Sequence, residues 1–82
     1  MERSFEGYFE QVPQPERVRT LTETEKMILR LYSHGLTRRM VADERGVGYE
    51  TIKSQTEYLR HKLAAKTTTH AVAIAIRAGM IQ

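Results

Sequence analysis

Between residues 49 and 61 the sequence sets Tyr49, Glu50, Lys53, Ser54, Glu57, Arg60 and His61 at recurring steps of three and four. On an α-helix those steps gather side chains onto one face. The chemistry open to such a stripe is recognition by hydrogen bonding. Lys53 can donate to guanine O6 or N7, Ser54 can donate or accept, and Glu50 and Glu57 accept only, as from cytosine N4. The same charges can also pair among themselves. Lys53 with Glu50 or Glu57, or Glu57 with Arg60 or His61, would then gain about 0.2–0.5 kcal/mol per pair on an exposed helix.

A second set suits phosphate oxygens, which position a protein on a duplex without reading sequence. It comprises Thr37, Arg38 and Arg39 ahead of the stripe, Thr51 within it, and Arg60, Lys62 and Lys66 at its end. Arg38 and Arg39 are neighbours, and adjacent helical residues diverge by about 100°, so one of the two is expected to be idle. Catalysis finds no footing. His34, His61 and His70 lack metal-ligand spacing, no glycine-rich phosphate loop occurs, and the acids are scattered. No catalytic residue, metal or cofactor is expected.

The elements that must hold these side chains are legible from caps and periodicity. Thr22 with Glu25 three residues on forms a capping-box pattern, and Met27, Ile28, Leu31 and Tyr32 share a helical face with Leu29 as an extra apolar position. Gly35 then ends a helix over about 22–33. Thr37 caps a short second helix at about 38–45, with Leu36 packing on Val41 as a hydrophobic staple. Gly46-Val47-Gly48 breaks it, and Val47 stands to Ile52 as Leu36 stands to Val41. The third helix is expected at about 49–63, burying Ile52, Thr56, Leu59 and Leu63. A fourth follows at about 69–78, apolar around most of its circumference. Something outside the chain should cover part of it, and Val72, Ile74, Ala75, Ile76 and Ala78 are the expected dimer contact.

Pro13 and Pro15 separate a segment at 1–20 from a domain at 21–82. Within that segment Phe5, Tyr8, Phe9 and Val12 have the spacing of a short amphipathic helix, with an arm as the alternative. The whole chain carries a net charge of +3, unevenly spread: three basic and four acidic side chains at 1–20, ten and six thereafter. With 82 residues, no cysteine, no apolar run of membrane-spanning length and no secretory start after Met1, one cytoplasmic domain is expected.

Residues 21–82 resemble the LuxR-type (GerE-like) helix-turn-helix regulators. The matches are Leu21, Thr22 and Glu25; Gly35, Leu36 and Thr37 with Val41-Ala42; Thr51-Ile52-Lys53; Lys62-Leu63; Ala71-Val72; and Gly79-Met80-Ile81. They fall in register without a gap. The resemblance implies an all-α, four-helix bundle and a transcriptional regulator that binds double-stranded DNA. It places the third helix in the major groove, with base contacts at Lys53, Ser54 and Glu57, and a homodimer through the fourth helix. Departures bear on affinity: Gly48 stands where a capping serine is usual, Arg45 at a leucine-like position, Thr56 where an apolar residue is common, and Thr68 where arginine is frequent. The competing expectation is a protein-interaction module on the same scaffold, gripping RNA polymerase or another regulator in the manner of a sigma-region-4 domain.

Overall fold

A computed structural model of the protein describes residues 20–82. The expected amphipathic helix around Phe5–Val12 lies outside the described residues. Four helices follow in order: α1 (Glu23–Ser33), α2 (Arg38–Arg45), α3 (Tyr49–Lys62) and α4 (Thr68–Arg77). No strand occurs among the described residues.

Each start has an identifiable local cause. At α1 the Thr22 hydroxyl accepts from the Glu25 amide at 3.1 Å, and the Glu25 carboxylate accepts from the Thr22 amide at 2.8 Å. At α2 the Thr37 hydroxyl accepts from the Met40 amide at 3.2 Å, and Thr67 does the same for His70 at 3.0 Å, starting α4 one residue before the expected position. Gly48 caps α3 with extended backbone alone and no side-chain bond. The α2 helix ends at Gly46, whose φ of +70° is left-handed and costs glycine nothing. Beyond α3 the chain turns at Ala64 with φ +54°, a conformation that costs a non-glycine residue about 1–2 kcal/mol.

The core joins Ile28 and Leu29 of α1, Val41 and Ala42 of α2, Ile52 and Leu59 of α3, and Ala71, Val72, Ile74 and Ala75 of α4. Leu63 just beyond α3 is fully buried among them. The α2 and α3 helices pack as a pair joined by the glycine turn, while α4 packs chiefly on α1 and also on α3.

Two facings differ from the sequence expectation. Met27, expected inside, is 44% exposed, and Leu29 takes its place at 1%. The buried face of α1 is turned toward Leu29, leaving Met27 on the rim, where its sulfur accepts from Arg45 Nη1 at 3.2 Å. The larger difference is in α4. Val72, Ile74 and Ala75, expected in a dimer contact, lie in the chain's own core at 9%, 6% and 0% exposure. The helix is covered by α1 and α3 together, so its broad apolar surface is used mostly at home. Ile76 and Ala78 are exposed, with Arg77 beside them and Ala73 half-buried.

Candidate nucleic-acid interface

The inner side of α3 is fixed by Ile52 and Leu59 at 0% and 1% exposure, with Thr56 between them. That anchoring turns Glu50, Lys53 and Ser54 to solvent, with Tyr49 and Thr51 exposed in the first turn. Lys53 forms no ion pair with either expected partner; the acid one turn on is taken by another cation. Arg60 donates to Glu57 Oε1 through both Nη2 (2.9 Å) and Nε (3.3 Å), and His61 Nε2 lies 3.9 Å from the same oxygen. The Arg60 hydrogen bonds hold the Glu57 carboxyl below the usual glutamate range, so it stays an acceptor whose charge is offset by its neighbours.

The cations expected on the phosphate backbone divide into two groups. At the far end of α3, Lys62 is committed within the chain: Nζ donates to Glu25 Oε1 and to the Thr20 carbonyl, both at 2.9 Å, and lies over the Tyr58 ring. The ammonium is half-buried, with 18% of the side chain exposed. Arg60 is engaged by Glu57 and the Ala65 carbonyl at 3.2 Å. Lys66 is exposed, beyond the end of a helix whose 14 residues rise about 1.5 Å each, roughly 20 Å from Tyr49.

At the near end Thr37, Arg38 and Arg39 adjoin the start of α3. The Arg39 guanidinium lies 5.4 Å from the Tyr49 ring centroid, a cation–π stack. Arg38 is half-buried, and the hydroxyls of Tyr49 and then Tyr32 favour its charged form, raising its pKa against the opposing effect of burial. A cleft of about 490 Å³ opens here between the starts of α2 and α4, lined in part by Tyr32, Thr37, Arg38, Thr68 and Thr69.

Tyr32 was legible only as an apolar-face residue. Its hydroxyl is 2.7 Å from Thr56 Oγ1, and the signal for this was Thr56 itself, since a buried hydroxyl requires a partner. Among the described residues no group of three or more His, Asp or Glu side chains gathers to hold a metal, and no helix is long and apolar enough to cross a membrane.

Residues 19–75 match the family described as bacterial regulatory proteins, luxR family. The chain is also similar to the transcriptional regulatory protein YdfI of Bacillus subtilis (strain 168), 32% identical over 81 residues, which cover 99% of this chain and 38% of that protein. The chain thus spans well under half the length of this curated relative. No solved structure matches it. Its four helices, the paired α2 and α3 with their glycine turn, and a family match over most of its length agree: the chain belongs to the luxR family of bacterial regulatory proteins, DNA-binding regulators of transcription built on an all-α helix-turn-helix fold.

Proposed function

We propose that this chain reads double-stranded DNA by inserting α3 into the major groove, as a homodimer joined through the exposed edge of α4. One observation carries the reading: Lys53 stands exposed on the outer face of α3, outside every ion pair among the described residues, beside Ser54 and one turn from Tyr49 with Arg39 stacked on it. A free ammonium in that position can give its donors to base edges, while Arg38 and Arg39 reach the phosphates alongside. Gly48 leaves room at the start of α3 for backbone amides to face a phosphate, in place of a serine hydroxyl. Ile76, with Ala73, Ala78 and Arg77 around it, offers the apolar surface for a two-fold contact. Such a dimer would set its recognition helices one helical turn of DNA apart, about 34 Å.

A salt titration of binding to random-sequence duplex tests the DNA part. Each phosphate neutralised should steepen the fall of log K with log salt by about 0.9, so a contact set of several cations predicts a steep line. Absence of binding at every salt concentration would contradict the reading and favour a module that grips RNA polymerase or another regulator.

A further inference from the structure

The Tyr32–Thr56 hydrogen bond links α1 to the inner stripe of α3, with Thr56 only 3% exposed. Either hydroxyl can donate in this bond, and with Tyr32 as the donor its phenolic oxygen is left free to accept. Arg38 lines the same cleft as Tyr32, and the Tyr32 hydroxyl favours its charged form. Arg38 Nε is buried and donates to no acceptor among the described residues. Tyr49, stacked under Arg39, also favours the charged form of Arg38 through its hydroxyl. An arginine free in solvent loses rotamer freedom when it grips a ligand; one already half-buried in the cleft loses less and binds better for it.

We propose that Tyr32, anchored by Thr56, is a positioning residue that presets the Arg38 guanidinium to grip a DNA phosphodiester at the α2 end of the interface. This rests on the DNA reading above. The ligand is a phosphodiester because Arg38 sits at the start of α2, off the base-facing side of α3, and the guanidinium fork matches two phosphate oxygens. The buried threonine at position 56 then has a use: its hydroxyl fixes the phenol that fixes the arginine.

The test is a double-mutant cycle on the full chain with a fluorescein-labelled random-sequence duplex, read by anisotropy across a salt series. Arg38→Ala should weaken binding about tenfold and make the salt line shallower by about one phosphate. Tyr32→Phe, which keeps the ring, should weaken binding about fivefold in the parent and leave the Arg38→Ala background unchanged. Solvent exchange of the Arg38 Nη protons, measured by NMR without DNA, should accelerate in Tyr32→Phe and in Thr56→Val. Equal losses in both backgrounds, a silent Tyr32→Phe, or unchanged exchange in these variants would each overturn the positioning role. If Tyr32→Phe does not fold, Thr56→Val takes its place in the cycle, with the same results expected and the same results overturning the role. A parent chain that binds no duplex at low salt overturns the DNA reading, and the phosphate grip with it, whereas the exchange measurement judges the Tyr32–Arg38 link by itself.

Discussion

Lys53 and Glu57 occupy the same outer stripe with opposite fates, and the difference decides what each can do. The carboxylate of Glu57 is held by Arg60 and flanked by His61, while Lys53 is exposed and outside every ion pair among the described residues. Lys53→Ala should therefore weaken binding to a selected site by about 1–3 kcal/mol with the fold intact, read by anisotropy beside a circular-dichroism melt. Unchanged affinity would remove Lys53 from the interface. Glu25 belongs to stability. Burial raises its pKa, but hydrogen bonds from Lys62 and the Thr22 amide, with the Lys62 charge, leave it below the ordinary glutamate value. A carboxyl whose pKa is depressed on folding stabilises fully above its unfolded pKa and loses that stabilisation as pH falls through the folded one. The melting temperature should accordingly fall as pH drops from about 5 to 3, and Glu25→Gln should flatten that part of the profile. A variant with the parent's acid limb would show that the Lys62 pair contributes nothing. The Glu57–Arg60 pair was legible as a spacing of three on a helix; the Lys62–Glu25 pair, 37 residues apart, was not.

The first three helices were legible because their ends are written in short-range chemistry: Thr22 with Glu25, Thr37, and the glycines between α2 and α3. Facing was legible only where polar residues mark the outside. On α3 they do, and Ile52→Ala or Leu59→Ala should cost about 2–5 kcal/mol in denaturant unfolding, since both side chains are essentially unexposed and would leave cavities under the stripe. Two silent substitutions would mean that α3 is turned the other way. On α4 the sequence is apolar nearly all round, so no polar residue says which side is covered. The packing of α1 and α3 on α4 settles it, leaving Ile76 at 47% exposure while Ile74 is at 6%. Ile76→Asp should give a folded monomer with weaker DNA binding, because a carboxylate is costly to bury at a two-fold contact. Sedimentation of the parent chain as a monomer at high concentration would contradict the α4 dimer.

At the scale of the whole molecule, one small core holds the exposed stripe of α3 in place and lets the start of α2 flank it with two arginines. The all-α architecture followed from periodicity and caps. The links that join helices distant in sequence, such as Tyr32 with Thr56 across 24 residues, depend on how the helices cross, which no local pattern encodes. The basic excess of residues 21–82 draws the domain toward any polyanion, so affinity alone leaves open which surface does the binding. The most direct measurement is an amide chemical-shift map of the isotope-labelled chain titrated with a duplex at moderate salt. The largest changes should fall on residues 49–54 and 37–39, with the exposed edge of α1 and the Ile76 edge of α4 little affected. Changes centred on α1 or on Ile76, with residues 49–54 unmoved, would contradict insertion of α3 into the groove.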